Sequence, residues 1–303
     1  VLEIAAGLVA MPDEPLKQAK VLLREGSGEG WPLALYGSAT IEGIDEVVAG
    51  RSALAIVNPS TALRMAYLGT GPFTQAQPVR TIAVIPTEDQ LAFAVKGAAG
   101  LTAFEEIAAK RAPLKISTRG TPGHSLHFML DAIAAAAGFS FDDLASWGGE
   151  LRREGSFPRA TGEKARAMAR GEMEALFEEG ADEWLPVALD AGMTVLPLSE
   201  ETIAKLEAVG FRRATIRKAQ HPRLPADVPT VSFSGWPIFV RADLPDELVG
   251  RICAALDERK HLIPWQGDGP LPVEQMCRDS AATPIDVPLH PAAERFWRER
   301  GYL

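Results

Sequence analysis

Short apolar runs alternate with stretches of helical period along almost the whole chain, and few folds besides α/β accommodate that alternation. The runs Leu2–Ala6, Pro32–Tyr36, Leu54–Val57, Thr81–Ile85, Gln90–Lys96, Leu114–Ser117 and Thr194–Leu198 read as strands. Between and after them, 3.6-residue spacing predicts helices over 13–24, 41–48, 60–67, 126–137, 161–170, 182–190, 199–209, 245–259 and 291–300. Residues 102–110 read as a charged, exposed helix, with Thr102 as N-cap and Glu105 at the reciprocal position of a capping box. No internal repeat of solenoid period is present. Two extended stretches far apart in sequence, 90–96 and 228–240, read as segments crossing between two lobes. Residues 1–88 plus 232–303 then form one discontinuous lobe and 89–231 the other, with a hinge at the crossings.

The strand ends share one chemistry. Leu114–Ser117 runs into Thr118-Arg119-Gly120-Thr121-Pro122-Gly123-His124-Ser125 and then an Ala-rich helix. Glycine there permits close backbone approach, and the unpaired N–H groups of a helix start attract an anion. Gly37-Ser38-Ala39-Thr40 repeats the arrangement ahead of the helix at 41–48, and Asn58-Pro59-Ser60-Thr61 supplies a third small-residue helix start. In open α/β sheets, ligands bind outside the carboxyl ends of strands. Helix capping explains the same residue types, and the two uses of one position are compatible.

At 303 residues, with 47% apolar and 23% charged side chains, the chain has the balance of a globular protein of one or two domains. A net charge of −9 without a Lys/Arg cluster argues against a nucleic-acid partner. No apolar run approaches the roughly 20 residues of a membrane-spanning helix. The histidines at 124, 127, 221, 261 and 290 are too dispersed for a metal site. Cys253 and Cys277 lack the spacing of a zinc or redox motif and read as two buried thiols, with a disulfide as the alternative. No Gly-x-Ser-x-Gly elbow, Walker A loop or Gly-x-Gly-x-x-Gly is present, so no catalytic residue, cofactor or metal is expected.

The layout resembles the type II periplasmic solute-binding proteins. More narrowly, the chain is similar to the TAXI class of solute receptors for TRAP (tripartite ATP-independent periplasmic) transporters. The resemblance rests on Gly37-Ser38-Ala39 with its helix, on VAGRSALAIVNPSTALRMAYLGTGPF (48–73), on the strand beginning Arg80-Thr81-Ile82-Ala83 and on the helix start at 121–125. ARGEMEALFEEG (169–180) and the closing PLHPAAERFWRERGYL (288–303) complete it, the last being the most specific. It implies an α/β fold of two lobes, each a mixed, mostly parallel sheet flanked by helices. It also implies a periplasmic location after removal of a signal peptide, consistent with the start Val1-Leu2-Glu3-Ile4. The implied function is binding of a small organic anion, a carboxylate or an amino-acid-like solute, in the interlobe cleft, with delivery to TRAP membrane subunits. Two departures stand out. The loop after the first strand is the apolar Leu8-Val9-Ala10-Met11-Pro12, and the loop at 121–125 carries His124.

On this reading Ser38 and Ala39 face a carboxylate from one lobe, and Thr121, Gly123, His124 and Ser125 face it from the other. Asn58 and Ser60 are further contacts, against simple capping. Glu178, with Glu179 beside it, is a candidate partner for an ammonium group, against solvated surface carboxylates. Trp236 reads as core packing or as a cleft wall, and His290 as structural. Two alternatives stay open: an enzyme on the same two-lobe fold, with His124, Ser125 and Glu178 as an acid–base site, and a ligand-sensing domain of a regulator.

Overall fold

A computed structural model describes residues 39–263 and 265–303, together with the backbone of two short paired strands, β1 (Val21–Leu22) and β2 (Ala34–Leu35). The strand expected over 2–6, the apolar loop Leu8–Pro12 and Ser38 lie outside the described residues. Val21 and Leu22, expected within a helix, pair antiparallel with Leu35 and Ala34. Cross-strand hydrogen bonding there overrides a helical spacing that is only a weak prior.

From residue 39 onward the alternation holds. Helix α1 (Thr40–Val48) leads to β3 (Leu54–Ile56), then α2 (Ser60–Leu68) and β4 (Val79–Ile85). Strand β5 (Ala92–Lys96) follows the first crossing, and a short helix α3 (Glu106–Ala109) precedes β6 (Lys115–Thr118). Next come α4 (Ser125–Ala136), α5 (Phe141–Ser146), β7 (Glu150–Arg153), α6 (Glu163–Ala169) and β8 (Ala175–Glu178). The chain continues through α7 (Ala181–Asp190), β9 (Met193–Val195), α8 (Glu200–Ala208) and the hairpin β10 (Arg213–Ile216) with β11 (Val228–Val231). Strand β12 (Trp236–Arg241), α9 (Asp246–Arg259), α10 (Val273–Met276) and α11 (Pro291–Glu299) close it.

Two main sheets result. One has the order β3-β12-β4, with β12 antiparallel to both neighbours. The other has the order β7-β6-β8-β5-β9. In it β6 runs parallel to β7 and β8, while β5 runs antiparallel to β8 and β9. The segments joining the sheets lie side by side. Leu91 N–H donates to Val231 O at 3.1 Å, Phe233 N–H to Asp89 O at 2.9 Å and Gly235 N–H to Thr87 O at 3.0 Å.

Phe93, Phe104, Phe177 and Phe139 fill the larger sheet's core with ring centroids 4.7–5.8 Å apart. Such tilted and edge contacts add about 0.5–1.5 kcal/mol per pair beyond area burial. That cluster is continuous with Leu63, Met65 and Phe239, so one apolar core reaches across both sheets. A second core lies beneath β4 and β12, where Trp297 is fully buried and its Nε1–H donates to Ile82 O at 2.9 Å. That bond explains why the C-terminal helix docks there. His290 caps this helix by accepting from Ala292 N–H at 3.2 Å, the structural role expected of it.

Three local expectations are corrected. Only 106–109 of the stretch 102–110 is helical, and no Thr102–Glu105 box forms. Instead, Thr102 N–H donates to Glu106 Oε2 at 2.7 Å, and Glu105 accepts from Ser199 N–H at 2.9 Å, tying α3 to the start of α8. A long-range acceptor role thus outcompetes a local cap. The sequence from 142 to 144 reads as the start of a short connection, but Phe141–Ser146 is a helix whose Ser140–Asp143 capping box is complete. Strand β7 was not legible because three of its four residues are charged and it is a sheet edge. Cys253 and Cys277 are both buried free thiols.

Candidate functional site

The parallel pairing of β6 with β8 ends both strands side by side and sets Arg119 against Glu178. Arg119 N–H donates to Glu178 Oε2 and its Nε–H to Oε1, both at 2.8 Å, and Glu178 is completely buried. The far end of the same guanidinium contacts Glu179. Lys164 Nζ, also buried, stands 4.0 Å from Glu178 Oε2, and burial lowers its pKa to about 8. Burial, reinforced by the neighbouring Asp89 and Glu178 carboxylates, pushes Glu179 up to about 8 against the opposing pull of Arg119. Trp184 Nε1–H holds Glu179 O at 2.8 Å and so fixes the backbone where β8 leaves the sheet.

Gly180 follows at φ 67°, as the N-cap of α7. A Cβ there would lie 2.3 Å from Phe157 Cζ, so glycine meets both the left-handed backbone and the close approach of that ring. Gly180 N–H donates to both oxygens of Asp89, at 2.8 and 3.0 Å, and Gln90 N–H donates to Oδ1 at 2.7 Å. Burial nevertheless raises the Asp89 carboxyl to about 7. The helix-start donor that would attract an anion is already taken by a carboxylate of the protein itself.

Three other helix starts converge nearby. The Asn58 carbonyl accepts Thr40 Oγ1–H at 2.9 Å and Ser125 Oγ–H at 3.1 Å, while its amide donates to Gly235 O at 3.1 Å. Gly123, at φ 70°, leaves room for Ala39, whose Cβ would sit 3.0 Å from a Cβ at 123. The two loops paired by sequence are thus in direct contact. His124 caps α4, its Nδ1 accepting from Leu126 N–H at 3.3 Å. Its Nε2 is 3.1 Å from Arg119 Nη1 and 3.9 Å from Glu179 Oε1, and the ring stacks on Phe233 at 6.1 Å. Burial, with Arg119 and His127 adding to it, depresses His124 to about 3. The imidazole is therefore neutral at physiological pH.

The expected contacts divide accordingly. Thr121 is half-buried and Gly123 exposed beside Ala39, with His124 next to them. Ser60 is buried, donating its hydroxyl to Pro284 O at 2.9 Å. The Ser125 hydroxyl is buried against Asn58, and Glu178 is held by Arg119. Among the described residues His124, Ser125 and Glu178 form no mutual hydrogen bond, so the acid–base arrangement considered for an enzyme is not assembled.

A cavity of about 530 Å³ opens at the seam between the sheets. Asn58, Trp236 and Gln266 line one side, with Thr87, Glu88 and Asp89 from the first crossing. Phe157, Arg159, Glu179 and Gly180 line the other, with Asp182 and Glu183 from the first turn of α7. Trp236 is 38% exposed and walls this cavity; it is not packed in the core. Asp89, Phe157 and Arg159 were missed from sequence. No motif joins positions that far apart, although the Arg119 and Glu178–Glu179 charges at strand ends were a usable signal. Among the described residues no group of three or more His, Cys, Asp or Glu is arranged to hold a metal ion, and no helix is long and apolar enough to cross a membrane.

Several solved structures are similar at low identity. A protein described as a periplasmic transporter is 12% identical over 88% of this chain and 80% of its own, with a TM-score of 0.37. The alkanesulfonate-binding protein SsuA from Xanthomonas axonopodis pv. citri, bound to MOPS, is 13% identical over 80% of this chain and 86% of its own, at 0.29. A Bordetella ferric binding protein is 11% identical over 100% of this chain and 85% of its own, at 0.32. The NMT1-like family matches residues 35–301, nearly the whole length, and the chain belongs to that family.

Proposed function

We propose that this chain is an extracytoplasmic solute receptor that encloses a small molecule between two lobes and delivers it to the membrane subunits of a transporter. The observation that carries the reading is the cavity of about 530 Å³ at the seam, lined from both sides and by the first crossing segment. That size suits a small ligand enclosed on most faces. The proposed lobes are 1–88 with 232–303, and 89–231. Sheet membership supports the division, since β3, β4 and β12 fall in the first and β5 to β9 in the second. The hydrogen-bonded crossings near 87–91 and 231–235 are the proposed hinge. Lobe closure over the solute is the working step, and it requires only that the solute bind the closed form more tightly. Delivery to TRAP membrane subunits in the periplasm is part of the proposal and rests on the sequence resemblance.

The proposed contacts are Asn58, which lines the cavity, and the neighbouring cluster of Ala39, Thr121, Gly123 and His124. The expectation of an anionic solute rests on helix starts, and the carboxylates around the cavity weigh against it. The test is a thermal-shift and calorimetric screen of the purified protein against small carboxylates, amino acids, amines and aromatic acids. Saturable 1:1 binding with the solute recovered unchanged is the expected result. Turnover of a bound solute, or no saturable binding by any of them, refutes the receptor reading.

A further inference from the structure

Two guanidiniums stand over the Phe157 ring, that of Arg119 at 4.9 Å from its centroid and that of Arg159 at 5.9 Å. Arg119 is committed to Glu178 and Glu179. Arg159 lines the cavity, is exposed, and has no carboxylate within ion-pair distance among the described residues. Its backbone is held nonetheless: Arg159 N–H donates to Phe157 O at 2.9 Å, and Gly162 N–H donates to Arg159 O at 2.8 Å. A guanidinium stacked on a ring, on a fixed turn, is pre-organised to grip a carboxylate with two parallel N–H bonds.

The carboxylates on the same lining leave Arg159 free. Asp89 accepts from Gly180 and Gln90 N–H, Glu179 faces Arg119, and Asp182 Oδ1 lies 3.0 Å from His221 Nε2. Glu88 and Glu183 are exposed. A solute with one negative charge gains Arg159, whereas a second negative charge would meet like charge around the rest of the lining. The other side of the cavity offers apolar surface. Trp236 is 38% exposed there, while Trp184 and Trp297 are fully buried. It opens β12 opposite Ile85 and follows Gly235, whose φ of 79° and close approach to Pro284 admit no side chain. The indole is thus placed by a paired strand, and its open face is apolar surface that a flat solute would cover.

Resting on the receptor reading, we infer that the solute class is a small aromatic monocarboxylate, with its carboxylate on Arg159 and its ring against Trp236. The assignment names the residue that takes the charge and excludes the aliphatic dicarboxylates and acidic amino acids, whose second carboxylate has no partner here.

The test is calorimetry at pH 7.5 and constant ionic strength with phenylacetate and indole-3-acetate against succinate, glutamate, 2-phenylethylamine and the neutral phenylacetamide. At least one aromatic carboxylate is expected to bind saturably and 1:1, at least about tenfold more tightly than any of the other four compounds. Arg159 and Trp236 both reach solvent, so Arg159→Gln and Trp236→Ala should keep the fold by circular dichroism. Arg159→Gln is expected to weaken the aromatic carboxylate at least about tenfold and to abolish its advantage over the amide, a change that a merely structural role would not produce. Trp236→Ala is expected to weaken it at least about fivefold. Any of the four comparison compounds binding as tightly, or an aromatic-carboxylate affinity unchanged in either variant, overturns the assignment and leaves the receptor reading standing. No saturable binding by any of these compounds overturns the assignment as well, while the wider screen above decides whether the receptor reading falls with it.

Discussion

Replacing Arg119 by leucine removes the guanidinium faced by both Glu178 and Glu179. Glu178 accepts two of its N–H groups at 2.8 Å, one of them the backbone N–H, which leucine retains. What remains near the Glu178 carboxylate is Lys164 at 4.0 Å, already depressed to about 8 by burial. Breaking a buried, hydrogen-bonded ion pair by deleting one partner costs about 3–5 kcal/mol, because the survivor's desolvation is no longer compensated. With an unfolding entropy of about 2.1 cal/mol/K per residue over 303 residues, that loss lowers the melting temperature by about 5–8 °C. The uncompensated carboxylate takes up a proton more readily when folded than when unfolded, so the deficit shrinks as pH falls. Scanning calorimetry at pH 5 and pH 8 reads both effects. Arg119→Leu combined with Glu178→Gln is expected to recover at least about 1 kcal/mol, since the two residues interact directly. A loss below about 1 kcal/mol for the single variant, a larger deficit at pH 5 than at pH 8, or simple additivity in the double variant refutes the account.

The buried titrating groups predict opposite slopes. His124 is near 3 when folded against an ordinary value of 6.5, so stability drains as pH falls between those values; His124→Gln should flatten that acid limb by up to about 1.4 kcal/mol per pH unit in urea titrations. Asp89 is raised to about 7, so its contribution is lost as pH rises from about 4 to 7, and Asp89→Asn should remove that loss. Ser60→Ala leaves the Pro284 carbonyl without its 2.9 Å donor and should cost about 1–2 kcal/mol by denaturant unfolding. Gly180→Ala puts a Cβ on a left-handed residue against Phe157; it should cost at least about 1–2 kcal/mol and change solute affinity by displacing that wall, whereas an unchanged melting curve contradicts the close approach.

Much of the frame follows from residues close together in the chain. Alternating apolar and helical periods require an α/β chain, and the small polar residues before each helix mark its start. Ser199 accepting from Thr202 N–H at 3.2 Å is one such start, and the Ser140–Asp143 box is another that sequence reading passed over. These signals survive because a cap or a periodic face is satisfied within one turn. The exposed α3 region failed for the converse reason, since Glu105 found a distant partner in Ser199.

The character of the site could not be decided in that way. Asp89, Arg119, Phe157 and Glu179 come together only because β5, β6 and β8 share one sheet, and the order and direction of strands are settled by packing across the whole chain. Local sequence marked the helix starts at 39–40, 58–60 and 121–125 as places where an anion would be welcome, and the fold does bring them together around Asn58. At those starts Ala39 N–H goes to Glu42, Leu126 N–H to His124 and Ser60 N–H to Ser234 O, and tertiary structure set carboxylates around the space beside them. Sequence by itself determined the kind of fold and marked the helix starts that the fold brings together. Which charged residues line the cavity was decided only in three dimensions, because electrostatic potential sums over residues that are neighbours in space and strangers in the chain.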